Sequence, residues 1–233
     1  MYGNFAEYYD CLTYDVDYNK RTAFLLKLFK KYSKKPTLLL DLACGTGGFS
    51  NCFAANGIEV IGVDMSEEML SVAGEKSAEL GLDVLYLCQK AEELDLFGTV
   101  DGAVCCLDSL NHITDYKTFC KAIAKVSLFL EKDCLFIFDL NTEYKHREIL
   151  GDNAFITETD EVMCCWQNFT DETLKTDIYL DFFAREEDGR YRRESDEFSE
   201  RAYSPLQIEK ALEKAGLQIL AVLDDMTREP QND

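Results

Sequence analysis

An open, mostly parallel α/β sheet with an antiparallel sheet inserted late in the chain is predicted by three features of this sequence. An apolar strand that begins with three leucines, residues 38–40, and surfaces at Asp41 runs into a glycine-bearing bend and then into a helix. Strand-like and helix-like segments alternate from there to residue 140, a pattern that demands right-handed crossovers and a parallel sheet. From residue 154 to residue 203 the apolar period drops to two, as in antiparallel hairpins with one covered face. The main unit is therefore placed at residues 1–150 and 203–233, and the inserted antiparallel unit at 151–202.

Composition bounds the function. At 233 residues, 47% of them hydrophobic, the chain can bury a full core. A net charge of −20 and a pI near 4.4 repel phosphate backbones, so a nucleic-acid partner is not expected. The basic cluster Lys27, Lys30, Lys31, Lys34 and Lys35 reads as a solvated helix face. No apolar run approaches the ~18 residues of a membrane span, and MYGNFAEYYD lacks the form of a secretion signal. A cytoplasmic protein without membrane contact is expected. Ten cysteines are scattered through apolar segments with no C-x-x-C pair, and the only histidines are His112 and His146. Buried thiols in a reducing compartment, and no metal site, are the expectation.

Residues 38–50, LLLDLACGTGGFS, carry the chemistry. Gly45, Gly47 and Gly48 allow a tight bend against which a ligand can lie, while the following helix points free N–H groups at it. Asp41, close to the same bend, would repel a dinucleotide pyrophosphate and attract an ammonium group. Ser50 also stands where G-x-G-x-x-G requires its third glycine. S-adenosylmethionine ends in an ammonium and a carboxylate, and suits a carboxylate beside free N–H groups. With D-x-A-C-G-T-G after an apolar strand, the chain resembles the class I S-adenosylmethionine-dependent methyltransferases. The resemblance covers residues 38–140 well, those after Ser204 less closely, and the insertion by general type. It implies a Rossmann-like sheet, an inserted β lid, S-adenosylmethionine as cofactor with S-adenosylhomocysteine as product, and contacts from Asp41, Ala43, Gly45 and Gly47.

In chain order, the Tyr- and Asp-rich residues 1–17 suit a flap over the ligand or a packing arm. Phe5 to Asp10 loosely match an arm of similar methyltransferases, which implies for Tyr9 a contact with the cofactor carboxylate or the substrate. Phe24, Leu25, Leu28, Phe29 and Tyr32 give one apolar helix face, which Pro36 closes off. After the bend and its helix, IEVIGVD forms a second strand ending at Asp64, where a carboxylate accepts hydrogen bonds from ribose hydroxyls; Met65 would lie against the adenine. Ser66 caps the next helix, with Met69, Leu70 and Ala73 inward. A third strand, residues 84–88, leads into Gln89, Lys90, Ala91 and Glu92. Here Lys90 replaces an acid that the family carries near the adenine amine, leaving the Ala91 N–H and Glu92 as the candidate contacts. A fourth strand at 99–107 exits into Asp108, Ser109 and His112. The first two are candidates for the methionine end of the cofactor. His112 is a candidate proton acceptor or a helix cap.

A fifth, fully buried strand is predicted in CLFIFDL from residue 134. Three β segments then make up the insertion, at 155–170, 173–186 and 190–203. Trp166, Phe182, Arg201 and Tyr203 would line a substrate chamber, with simple packing as the alternative for Trp166 and Phe182. Ser204, Pro205 and Gln207 form a capping box for a helix ending at Gly216, and residues 217–223 read as a sixth strand. The family sheet usually adds a further antiparallel strand; residues 227–233 are too short and polar for it, so a truncated form is expected. No [DN]-P-P-[FY] or Pro-Cys stretch is present, and with the charge this points to a small-molecule acceptor, methylated at nitrogen, oxygen or a carboxylate. Two alternatives stay open: an S-adenosylmethionine-binding regulatory module, and a nicotinamide-dependent oxidoreductase.

Overall fold

The computed structural model describes residues 5–186 and 188–224. Five strands form a parallel sheet in the order β3-β2-β1-β4-β5: β1 (Leu38–Leu42), β2 (Glu59–Asp64), β3 (Leu85–Cys88), β4 (Gly102–Cys105) and β5 (Phe136–Phe138). The period of two in β1 divides its side chains between two layers. Leu39 faces a core built with Leu25 and Phe29 of α2 (Tyr18–Tyr32) and Phe49 and Phe53 of α3 (Gly48–Ala55). Leu40 and Leu42 face the opposite core, built with Phe119, Ile123 and Val126 of α5 (Tyr116–Phe129) and Ala211 and Leu212 of α6 (Pro205–Lys214). The capping box of Ser204 and Gln207 opens α6 as expected, and Ser66 caps α4 (Glu67–Glu79) by accepting from the Met69 N–H.

Residues 154–201 form a four-stranded antiparallel meander: β6 (Ala154–Glu158), β7 (Val162–Thr170), β8 (Lys175–Arg185) and β9 (Tyr191–Arg201). The first of the three predicted segments is thus two strands, because Thr159 accepts from the Glu161 and Val162 N–H groups and turns the chain. The inner face of this sheet, with Val162, Cys164, Ile178, Leu180 and Phe182, packs on α1 (Phe5–Leu12) and on Met69 of α4. Two buried asparagines tie it to the parallel sheet: the Asn111 side chain donates to the Arg201 and Asn141 carbonyls, at 2.9 and 3.2 Å, and accepts from the Asn141 N–H.

Several expectations need correction. Residues 217–223 are not a strand: no strand pairs with β5 on its outer edge among the described residues, and Ile219, Leu220 and Val222 are exposed. Without that neighbour β5 is half-buried rather than fully buried. The predicted final residues 227–233 lie outside the described residues. Of the nine cysteines whose side chains are described, only Cys105 and Cys164 are buried, Cys88 is exposed, and all nine are unpaired thiols. Among the described residues no helix is long and apolar enough to cross a membrane.

Asp101, 6% exposed, fastens the start of β1 to that of β4. Its carboxylate accepts from the Thr37 and Leu38 N–H groups and the Thr37 hydroxyl, each at 2.8 Å, with the Lys34 ammonium 3.4 Å away. Burial pushes this carboxyl up, but these donors outweigh it and hold it below its ordinary value. Its stabilisation is therefore present above the unfolded value of about 3.9 and lost as pH falls through the lower folded value. Asp101→Asn should cost about 1.5–3 kcal/mol in urea unfolding at neutral pH, and the gap from the unaltered protein should close in acid.

Candidate active site

The bend after β1 is built by three residues with positive φ: Ala43 at 56°, Gly45 at 53° and Gly47 at 76°. Gly47 is the helix-capping residue of α3, and an added Cβ there would stand 2.5 Å from the Tyr86 hydroxyl and 3.0 Å from the Ala73 Cβ. Asp64, at the end of β2, reaches across to this bend. One carboxylate oxygen accepts from the Gly45 N–H and the other from the Ser66 N–H, both at 2.9 Å. Two bonds leave further lone pairs on a carboxylate. Burial raises its pKa, and the N–H groups of Ser66, Gly45 and Met65 partly offset that rise.

Asp41 shares the Leu39 face of β1 and so lies under α3, where it accepts from the Ser50 hydroxyl at 2.6 Å. It is 2% exposed, and burial pushes its carboxyl up to about 7 against the Ser50 hydrogen bond. No cationic side chain pairs with it among the described residues. Asp41 forms part of a narrow cleft whose walls include Tyr9, Tyr18, Ala43, Cys44, Phe49 and Ser109. A buried carboxyl without a cation, facing such a cleft, fits the ammonium end of S-adenosylmethionine.

The helix α1 crosses this cleft. Asp10 accepts from the Thr46 hydroxyl at 2.8 Å and from the Lys76 ammonium at 2.7 Å. Tyr8 stacks on Phe182 at 5.1 Å, and its hydroxyl accepts from Arg192 at 2.9 Å. The arm is thereby bonded to the bend, to α4 and to the inserted sheet. Tyr9 faces the cleft, and burial, with Tyr18 and Asp108 adding to it, holds its phenol far above the ordinary value. It is suited to donate a hydrogen bond rather than to accept a proton.

At the end of β4, Leu107 and Asp108 take left-handed backbones, with φ of 57° and 50°. Such conformations cost roughly 1–2 kcal/mol per residue, and strain of this kind concentrates at ligand sites. The turn is held by Asp139, which accepts from the Asp108 N–H at 3.0 Å, by Asn141, whose side chain donates to the Asp108 carboxylate, and by the Ser109 hydroxyl on the Cys106 carbonyl at 2.8 Å. Burial raises Asp139 to about 6. His112 follows, stacked on Phe198 of β9 at 5.0 Å. Burial lowers its pKa against the opposing charges of Asp108 and Asp64.

The structure therefore brings Tyr9, Asp41, Ala43, Gly45, Gly47, Asp64, Asp108, Ser109 and His112 to one end of the parallel sheet. Met65 is 52% exposed beside the short helical turn Ala91–Glu93, with the Cys88 thiol on its carbonyl. Ala91 and Glu92 are half-buried there, and the stretch is pinned by Gln89, which bonds the Asp95 N–H and carbonyl. The predicted chamber residues are not gathered in the same way. Tyr203 is 3% exposed, packed between Phe119 and Tyr116 with its hydroxyl on the Ile113 carbonyl, and so belongs to the core. Arg201 lies over the Tyr203 ring and donates to the Thr114 carbonyl. Trp166 sits edge-on to Phe155 and donates to Asn168 within the inserted sheet. Sequence reasoning missed Tyr18, Cys44 and Phe49 in the cleft, and missed His146 and Glu200 beside His112. Of these, only Cys44 sat inside the recognised motif.

Several known proteins are similar to this chain. A methyltransferase-domain family model matches residues 39–128. The putative methyltransferase YqeM of Bacillus subtilis (strain 168) is 30% identical over 229 residues, covering 97% of this chain and 90% of that protein. The crystal structure of an S-adenosylmethionine-dependent methyltransferase from Clostridium acetobutylicum ATCC 824 superposes with a TM-score of 0.89 at 34% identity, over 99% of this chain and 94% of that one. The chain belongs to the S-adenosylmethionine-dependent methyltransferases. The nicotinamide-dependent alternative is thereby set aside. Streptomyces venezuelae DesVI shares the fold of this methyltransferase, with a TM-score of 0.81 at 20% identity over 93% of this chain and 92% of that one.

The bend offers a direct test. Gly47→Ala should lose roughly 1–2 kcal/mol from the left-handed backbone alone, with more from the contact on Tyr86. Thermal melting should detect that loss, and calorimetry should show weaker S-adenosylmethionine binding in whatever fraction remains folded.

Proposed function

We propose that this methyltransferase acts on a small molecule carrying an amine, seated between the strand ends and the inner face of the inserted sheet. The observation behind this is the row of carboxyls on the inner face of β9. Glu194, Asp196 and Glu200 lie opposite Phe182, Leu180 and Thr176 of β8, with Phe198 between them against His112. Arg192 pairs with Glu194 and is the one cation of that row. Asp64, Asp108 and Asp139 add negative charge from the strand ends. An ammonium placed against such a wall would help Asp196 and Glu200 to ionise and would be held by them, whereas a carboxylate would be opposed, which disfavours carboxylate acceptors.

When bound, S-adenosylmethionine supplies a methyl group on a positively charged sulfur. In this reading Asp41 takes the ammonium of the cofactor's amino-acid end, Tyr9 donates to its carboxylate, Asp64 holds the ribose, and Asp108 and Ser109 border the methionine chain. Met65, Ala91 and Glu92 border the adenine. An amine arrives protonated and must lose that proton before its lone pair attacks. His112, kept unprotonated at neutral pH by its lowered pKa, takes the proton. Alignment of the three reacting atoms then supplies the larger share, about 7–11 kcal/mol, against about 10²–10⁴-fold from the base.

Three measurements test this. With methyl-labelled S-adenosylmethionine and a mixture of small amines, alcohols and carboxylic acids, label should appear in the amines; label confined to esters contradicts the reading. His112→Ala should lower kcat by about 10²-fold or more while S-adenosylmethionine affinity stays within about twofold. For Asp41, ionisation near pH 7 must precede pairing with an ammonium. S-adenosylmethionine affinity should therefore rise with pH through that range. Asp41→Asn should bind about 10- to 100-fold more weakly at high pH, the equivalent of about 1.5–3 kcal/mol. Its affinity should be flat with pH, and its melting temperature should not fall, since ionising a buried carboxyl is a cost the amide avoids.

A further inference from the structure

We infer that Glu200 is a positioning residue for methyl transfer, a carboxyl carried over from the inserted sheet that orients His112 and, through Asn141, steadies the Asp108 turn. Its Oε1 lies 3.6 Å from the Nε2 of His112, while its Oε2 accepts from the Asn141 side chain at 3.2 Å. That same Asn141 amide donates to Asp108. One carboxyl thus faces the candidate base with one oxygen and, with the other, joins the strained turn at the end of β4.

A carboxyl placed only for stability would be expected to have better partners. Glu200 is 4% exposed, yet its one firm hydrogen bond comes from Asn141. The nearest other groups are His112 at 3.6 Å and the Nε2 of His146 at 3.9 Å, both beyond hydrogen-bond length. The His146 Nε2 is itself buried without a partner, its Nδ1 being bonded to the Thr176 hydroxyl at 2.8 Å. Leaving such groups under-satisfied in a buried place is costly, and it coincides with the left-handed backbone at Leu107 and Asp108. Cost gathered at one spot, next to the one histidine that faces the strand ends, is the mark of a working site.

The groups facing this carboxyl come from every neighbouring element: Asp108 and His112 from the segment after β4, Asn141 after β5, Lys145 and His146 from the helical turn Lys145–Leu150, and Thr176 on β8. Burial, then Asp108, raises Glu200 well above the usual carboxylate range, while Asn141 and Lys145 oppose it. At 3.6 Å the carboxyl acts on the imidazole through its charge. While it keeps its proton it gives no support to a proton on the facing Nε2; once it ionises it favours a proton there, which leaves the Nδ1 lone pair to take a proton. The state of Glu200 thus selects which imidazole nitrogen is basic.

The chain has only two histidines, so nitrogen-15 NMR resolves both imidazoles. In the whole protein with S-adenosylhomocysteine bound, raising the pH should convert His112 from an unprotonated to a protonated Nε2. In Glu200→Gln this transition should be lost, leaving the imidazole's own titration. Identical His112 profiles in the two proteins would overturn the inference. Should Glu200→Gln fail to fold, the Glu200 carboxyl carbon-13 and His112 nitrogen-15 signals of the unaltered protein should share one midpoint, and separate midpoints would be equally damaging. The inference rests on His112 acting as the base, but its readout does not involve turnover. Unchanged His112 profiles would remove Glu200 and leave the amine reading standing, whereas absence of methylated amine with coupled signals would do the reverse.

Discussion

The hydrogen bond from the Gly45 N–H to the Asp64 carboxylate is the constraint on which the rest of the site depends. It ties the bend after β1 to the end of β2, so two neighbouring strands finish on one shared charged group. At Gly45 and Gly47 the positive φ costs little because glycine has no Cβ, while Ala43 bears the left-handed cost in a loop that this carboxylate ties to β2. Around it, buried Asp41 and half-buried Asp139 also carry raised pKa values, so the end of the sheet holds acids that a cation would help to ionise. A doubly negative pyrophosphate has no comparable place there. Choice of ligand is in this sense an electrostatic property of the strand ends.

The inserted sheet completes the surroundings rather than the ligand pocket alone. Its inner face rests on α1 and α4 through Ile178, Leu180 and Phe182, and its last strand brings Phe198 and Glu200 against His112. Asn111 and Asn141 hold the junction with bonds that no solvent competes for, since Asn111 is fully buried and Asn141 nearly so. The arm α1 is fixed by contacts to both sheets, with Asp10 on the bend and Tyr8 on Phe182. Movement of the inserted sheet would therefore be felt at the arm and at His112 together.

Much of this was legible in the sequence, and the misses share a cause. The bend, Asp41 and Asp64 could be located because strand, turn and helix follow one another locally, and the capping residues Ser66 and Ser204 announced their helices. Residues 217–223 have strand-like composition, but a strand exists only where an edge accepts it, and β5 offers three paired residues. The hairpin between β6 and β7 was hidden in an acidic stretch whose turn is made by the Thr159 side chain. Tyr203 was grouped with Arg201 as a chamber residue, yet a step of two residues past β9 carries it into the core on Phe119. The meeting of Glu200 and His146 with Asn141 and Thr176 could not be found by spacing, since it depends on contacts 59 and 30 residues apart in the chain.

A crystal structure of the complex with S-adenosylhomocysteine is the most direct measurement of the central claim. It should show the amino-acid end of the ligand beside Asp41 and Tyr9, the ribose hydroxyls on the free lone pairs of Asp64, and the sulfur turned toward His112. A nucleoside seated away from the bend, with Asp64 bonded to Gly45 and Ser66 alone, would contradict the account.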